Sequence, residues 1–333
     1  MSTSSEPQFR AGFIGQGPHE AADFAVGAPI TGSLQPLSIA TPADAGFTST
    51  SQPTRPQLRV CVLGSGSGGN STVIMLGERG MLIDAGFGPR TTRHRLLSAR
   101  VPLDAIEAIC VTHFDRDHFR PTWISTMLQQ RIRLLVHAWH EDELYHVPGG
   151  TRLIDAGLVT IIGSDGCEPL PGISATCIRL PHDHKGTTAF HLESEFGSIG
   201  FATDLGCVPP ALIERFIGVD LLAIECNYDP EMQRRSSRPL SLKRRIMGKA
   251  GHLSNRQAFE AVRQIVDRSP PGQPQKIVLL HRSRQCNCPH LVQSVFDEDP
   301  RIGPYVIQTD QRRRTPWITV TPGARPMKQL GLF

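Results

Sequence analysis

The stretch Thr112-His113-Phe114-Asp115-Arg116-Asp117-His118 puts four side chains able to hold a metal cation within six residues. It follows an apolar run and precedes a helix-like one. A strand end passing into a loop can turn several of these groups toward one point, whereas a regular strand sends neighbours to opposite faces. One aspartate could instead cap the next helix, but that role does not account for the whole cluster. Imidazole and carboxylate donors together suit zinc, and added carboxylate oxygen suits manganese. Elsewhere in the chain, Asp84, His182, Asp204 and His281 each close an apolar run. Any one of them alone reads as an ordinary loop or strand-end residue.

Positioning such groups requires strands that end in loops, and the chain supplies them. Residues 1–56 are rich in Ser, Thr, Pro, Gly and Ala with no sustained period, which predicts a flexible leader without a fold. Leu58 to Leu63, Thr72 to Leu76 and Met81 to Asp84 are β-prone runs parted by Gly-rich turns, the opening of a β-meander. Strands are then expected at Ala105 to Thr112, Ile132 to His137, Ile173 to Leu180, Thr187 to Leu192, Ser198 to Thr203, Asp220 to Glu225, Lys276 to His281, Tyr305 to Gln308 and Trp317 to Val320. Helices are expected at Pro121 to Gln130, Ala138 to His146, Pro209 to Phe216, Leu240 to Lys249, Ser254 to Asp267 and His290 to Phe296. The simplest packing of this α/β order is two sheets flanked by helices over residues 57–320, with 321–333 as a flexible tail.

The 333-residue chain is long enough for a sizeable core. It shows no apolar run able to cross a bilayer and no secretory layout at its N-terminus, so no membrane partner and a cytoplasmic location are expected. Its eight cysteines are too sparse for a disulfide scaffold. Cys286 and Cys288 lie between His281 and His290, but one intervening residue is an awkward spacing for tetrahedral zinc, and they read as incidental. Net charge is only +4, yet Arg234, Arg235, Arg238, Lys243, Arg244 and Arg245 fall close together, as do Arg312, Arg313 and Arg314. Such clusters attract polyanions or form solvated faces, and charge alone does not choose.

The His-x-Asp-x-Asp-His order resembles the His-x-His-x-Asp-His signature of the metallo-β-lactamase superfamily, with Asp115 standing where the family has its second His. Leu82-Ile83-Asp84-Ala85-Gly86, Leu180-Pro181-His182-Asp183-His184, Ala202-Thr203-Asp204-Leu205-Gly206 and Ile277-Val278-Leu279-Leu280-His281 follow in the family's order. The resemblance implies a four-layer αββα sandwich and two divalent metal ions, Zn or Mn. One would be held by His113, Asp115 and His182, the other by Asp117, His118 and His281, with Asp204 bridging and His184 a spare candidate. Two such cations can share a hydroxide with a pKa near neutrality, which Asp117 would help to orient.

Leu63-Gly64-Ser65-Gly66-Ser67-Gly68-Gly69-Asn70-Ser71, Ile224-Glu225-Cys226-Asn227-Tyr228-Asp229, Gly251-His252-Leu253-Ser254-Asn255 and His281-Arg282-Ser283-Arg284-Gln285-Cys286-Asn287 together resemble the YycJ/WalJ-like subfamily, which is associated with 5′-to-3′ DNA exonuclease activity. By that resemblance Ser65, Ser67, Gly68, Asn70, Ser283 and Asn287 would face phosphate, and Asp117, His252 and Glu225 would be catalytic. His252 would protonate the leaving oxygen, with Glu225 orienting it. Ser254 already supplies helix-capping chemistry, which frees His252 from that role. Gln329-Leu330-Gly331-Leu332-Phe333, after a Pro/Gly spacer, resembles the bacterial sliding-clamp-binding peptide, in which Gln329 would make polar contacts while Leu330, Leu332 and Phe333 fill an apolar cleft.

The leading expectation is therefore a metal-dependent phosphodiester hydrolase, a 5′-to-3′ DNA exonuclease recruited to replication or repair by its tail. The alternatives are a hydrolase of a small ester, thioester or lactam on the same fold, and a non-catalytic module that binds nucleic acid or the clamp.

Overall fold

The computed structural model describes residues 56–323. The leader and the Gln329–Phe333 peptide lie outside the described residues. The first sheet is built from β1 (Leu58–Gly64), β2 (Ser71–Leu76), β3 (Arg79–Ile83), β4 (Ile106–Cys110), β5 (Arg133–His137) and β6 (Val159–Ile162), side by side in that order. The second runs through β7 (Cys167–Leu170), β8 (Ile173–Leu180), β9 (Thr187–Ser194), β10 (Gly197–Ala202), β11 (Leu221–Glu225), β12 (Lys276–Leu280) and β13 (Val306–Gln308). The last strand, β14 (Ile318–Val320), returns to the first sheet and pairs antiparallel with β1. The first three strands form the expected antiparallel meander, and β3 to β6 continue in parallel.

The strands read as nearly continuous apolar runs because both faces of each sheet are buried. Leu58, Val60 and Val62 of β1 point into the space between the sheets, where they join Leu221 and Ala223 of β11 and Val278 and Leu280 of β12. Cys61 and Leu63 point to the outer face of the first sheet. There they meet Leu96 of α1 (Pro89–Ser98), Trp123, Ile124 and Met127 of α2 (Trp123–Gln130), Leu144 of α3 (Glu141–His146) and Leu153 of α4 (Thr151–Asp155). On the outer face of the second sheet, Leu222, Ile224, Ile277 and Leu279 are covered by α5 (Pro210–Phe216), α8 (Asn255–Arg268) and α9 (Pro289–Phe296). The result is the four-layer αββα sandwich.

Two short helices, α6 (Pro230–Arg235) and α7 (Leu240–Ile246), lie between β11 and α8. Asp229 caps α6 by accepting from the Glu231 and Met232 amides, and Ser254 caps α8 in a full capping box with Gln257. The expected helix from Leu240 ends at Ile246, short of Lys249. Gly251, whose Cβ would collide with the Arg245 and Ile246 carbonyl oxygens, lets the chain fold back against that helix end. Among the described residues no helix is long and apolar enough to cross a membrane. All eight cysteines are free.

Candidate active site

Six strand ends deliver the chemistry. Asp84 follows β3, residues 112–118 follow β4, His182 follows β8, Asp204 follows β10, Glu225 ends β11 and His281 follows β12. Open α/β sheets place ligands at the carboxyl ends of their strands for this reason: the chain leaves the pleat there and side chains are free to converge. Three of the residues sit in the left-handed backbone region, Asp84 at φ 62°, Asp204 at φ 51° and His281 at φ 52°. That conformation is costly for residues with a Cβ and persists only where the surroundings fix it. Gly86 supplies the close approach that the metal loop requires, since a Cβ there would run into the Asp117 carbonyl.

The ligand atoms of His113, Asp115 and His182 lie within 4.8 Å of one another, as do those of Asp117, His118 and His281, and those of His113, His118 and Asp204. His113 Nε2 stands 3.6 Å from Asp115 Oδ2 and 4.0 Å from Asp204 Oδ2. His281 Nε2 stands 3.5 Å from Asp117 Oδ2, and Nε2 of His118 reaches the Asp204 carboxylate. The structure thus brings together every residue that the sequence proposed as a ligand. His184 is exposed and joins none of these groups among the described residues, and neither do the buried Cys286 and the half-buried Cys288.

A test of whether metal fits comes from the polar atoms left over. Nε2 of His113 and Nε2 of His281 are buried without a hydrogen bond, and the buried Asp204 carboxylate meets imidazole nitrogens of His118 and His281. An unpaired buried polar group costs about 1–3 kcal/mol, and cations among these donors would satisfy them. The opposite edges of the rings are already spoken for. Asp84 Oδ2 lies 2.7 Å from His118 Nδ1 and also takes up the Thr112 hydroxyl, while Asp84 Oδ1 accepts the Thr112 amide at 2.9 Å. His182 Nδ1 lies 3.0 Å from the Gly251 carbonyl oxygen. Carboxylates and carbonyls behind an imidazole fix which nitrogen faces the ion. The donor set fits divalent cations.

Groups of opposite charge sit side by side within the cluster. Burial lowers the His113 pKa, and the neighbouring His118 lowers it further. Asp115 is drawn down to about 2 by His113 beside it. Burial works against ionisation of Asp204, but His281 and His118 outweigh it and hold the carboxyl well below its usual range. At His252 burial would lower the pKa, yet the Glu225 and Asp204 carboxylates prevail and push it up to about 9. Glu225 Oε1 is 2.7 Å from His252 Nδ1 and 3.0 Å from His281 Nδ1, and Oε2 accepts the Leu253 amide at 3.0 Å.

The proposed phosphate-facing residues divide into two sets. Ser65, Asn70 and Asn287 are turned inward. Ser65 Oγ donates to Asn70 Oδ1 and accepts the His281 amide, and Asn70 Nδ2 comes within 3.0 Å of His118 Nε2. Asn287 Nδ2 donates to Asn255 Oδ1 and the Asn227 carbonyl. The Gly68 amide is taken by Gln311 Oε1 at 3.1 Å. The polar groups of these four thus brace the loops in this structure. Ser67 and Ser283, in contrast, line a recess of about 210 Å³ together with His182, His252, Arg238 and Arg245. Sequence reasoning singled out neither Asn227, whose Nδ2 donates to the His281 carbonyl at 2.8 Å, nor Thr112 behind His113 and His118. Both lay inside quoted motifs, and the partner of Asn227 is 54 positions away in sequence.

Residues 79–281 match the beta-lactamase superfamily domain, and the chain belongs to that family. It is similar to exodeoxyribonuclease YycJ of Bacillus anthracis, 27% identical over 241 residues that cover 70% of this chain and 86% of the relative. It is also similar to exodeoxyribonuclease WalJ of Streptococcus pneumoniae, 26% identical over 235 residues, 69% of this chain and 83% of the relative. Among solved structures, the metallo-β-lactamase fold protein YhfI from Bacillus subtilis superposes with a TM-score of 0.56 at 15% identity, over 79% of this chain and 99% of that one. The fold is that of the metallo-β-lactamase sandwich.

Proposed function

We propose that the protein is a metal-dependent phosphodiesterase that degrades DNA from an end, in the 5′-to-3′ direction. The observation that carries this reading is the meeting of two ligand triads, His113/Asp115/His182 and Asp117/His118/His281, at Asp204 beside the His252–Glu225 pair. The two curated relatives named as exodeoxyribonucleases support the substrate class. Divalent cations in this site supply Lewis acidity toward a phosphoryl oxygen and make water acidic enough to attack near neutral pH. The ligand carboxylates Asp204, Asp115 and Asp117 place negative charge where those cations sit.

The chain's own residues do the rest. Glu225 holds Nδ1 of His252, which leaves Nε2 to carry the proton that the departing oxygen needs. The raised pKa keeps that proton in place at neutral pH. Glu225 meanwhile ties the same acid to His281, so that proton donor and metal ligand share one anchor. Asp115 in place of an imidazole adds a hard oxygen donor and favours manganese over zinc at the first site. A small ester or lactam would leave the arginines of the adjoining recess without a use.

The protein works in the cytoplasm, in DNA replication or repair, and Gln329, Leu330, Leu332 and Phe333 bind the bacterial sliding clamp. Stripping the protein with chelator, refilling it with zinc, manganese or magnesium, and following release of end label from single-stranded DNA tests the reading. Manganese should restore the fastest release. No release with any metal at full occupancy would refute it.

A further inference from the structure

The basic segment behind the active site is less cationic than its sequence suggests, and of the two arginines on the wall of the adjoining recess only Arg238 lacks a carboxylate partner among the described residues. Arg234 and Arg235 both reach Glu231, at 2.9 and 2.6 Å, and Arg245 pairs with Asp183. Arg238 is held differently. Its Nε donates to Gln285 Oε1 and its Nη1 to Gln233 Oε1, both at 3.1 Å. Both acceptors are neutral amides, so they orient the guanidinium without cancelling its charge. Among the described residues no carboxylate pairs with Arg238, and its Nη2 has no acceptor.

Gln233 shows that this grip has a cost. It is fully buried, and its Nε2 finds no hydrogen-bond partner. Turning the amide over would set Nε2 against the Arg238 donor, so the carbonyl stays with Arg238 and the amine goes unsatisfied. A buried unpaired donor persists where something else depends on the arrangement.

The charge so preserved borders the recess of about 210 Å³ lined by Ser67, Ser283, His182 and His252. The one carboxylate on its wall, Asp183, is neutralised by Arg245, while Asn227 adds an amide. The recess thus offers hydroxyls, an uncompensated planar cation and the His252 imidazole, and its size suits one phosphate with its sugar, not a strand running through. Guanidinium forks match phosphate geometry, and a terminal monoester carries roughly −1.5 to −2 charge against one negative charge on an internal diester.

We infer that Arg238, oriented by Gln233 and Gln285, anchors the terminal phosphate monoester of the nucleic acid in this recess. The inference rests on the nuclease reading and deepens it, because a site that grips a chain end explains why cleavage would start there. Ser67 and Ser283 add hydroxyl contacts, and the sugar of the end residue lies toward His252.

The test is calorimetric titration of the metal-loaded protein with deoxythymidine, deoxythymidine 5′-monophosphate and deoxythymidine 3′-monophosphate, the last two deciding which end the site takes. One monophosphate should bind roughly tenfold or more tighter than the nucleoside, as expected for charge-assisted hydrogen bonds. Arg238→Gln should abolish that preference and Arg238→Lys, which keeps the charge but not the fork, should remove part of it. Arg234→Gln, already neutralised by Glu231, should retain it. A preference that survives both Arg238 variants, or that Arg234→Gln lowers equally, overturns the assignment. Failure of the nuclease reading looks different: the monophosphate preference and its loss in Arg238→Gln would persist, while no DNA is degraded.

Discussion

Glu225 Oε1 stands 2.7 Å from Nδ1 of His252, and this pairing joins His252 to the His/Asp cluster through a carboxylate with no solvent exposure. His252→Ala should therefore lower turnover by about 10²–10⁴-fold while both metals stay bound, the range for a positioned acid. Glu225→Gln should slow turnover too, and because the same carboxylate holds His281, it should also weaken metal retention. Elemental analysis beside single-turnover kinetics separates the two effects. Unchanged turnover in His252→Ala would remove His252 from the mechanism.

Asp204→Ala and His118→Ala should each abolish hydrolysis and lower metal content while the domain stays folded, since these groups face the cluster and the sheets hold the core. Asp84→Asn tests the support behind the ligand. It leaves every donor atom of the cluster in place yet loosens His118, and metal affinity should fall about 10–100-fold. Competition with a chelator of known affinity reads both effects, and full occupancy in all three variants would refute the ligand assignment.

Neutralising Arg238 and Arg244 together should flatten the salt dependence of DNA binding by about one unit of slope per lost phosphate contact. Neutralising Arg234 and Arg235 should change it less, because Glu231 pairs with both and cancels one of their two charges. Equal slopes from both double variants would make the whole segment a solvated face.

Deleting Gln329 to Phe333 should leave turnover on short DNA intact and abolish binding to purified sliding clamp. Burial of Leu330, Leu332 and Phe333 contributes about 1.5–3 kcal/mol each, offset by the cost of ordering the tail, so affinity should be modest. Leu332→Ala with Phe333→Ala should reproduce the deletion. Calorimetry that finds equal binding by intact and truncated protein would assign the tail another use.

Strands whose two faces are both buried were legible in the sequence, because β11 and β12 are apolar at every position that packs on either side. Helix α1 was not, since of its ten residues only Thr92 and Leu96 are buried and no apolar stripe forms. Strand β7 was hidden by Pro169, which a strand tolerates at the edge of a sheet, where β7 lies. The ligand set stood out because four members share one loop and the others close apolar runs. Their supports did not, because Asn70 reaches His118 across 48 positions and Asn227 reaches His281 across 54. The pairing of Arg245 in the basic segment was hidden for the same reason, since it finds its acid 62 residues away at Asp183.

The central claim, end-dependent hydrolysis of DNA by this metal cluster, is tested most directly by offering metal-loaded protein matched linear and closed-circular single-stranded DNA. The wild type should convert the linear form progressively to mononucleotides and leave the circle intact, and Asp204→Ala should do neither. Cutting of the circle at a comparable rate, or undiminished degradation by Asp204→Ala, would contradict the account.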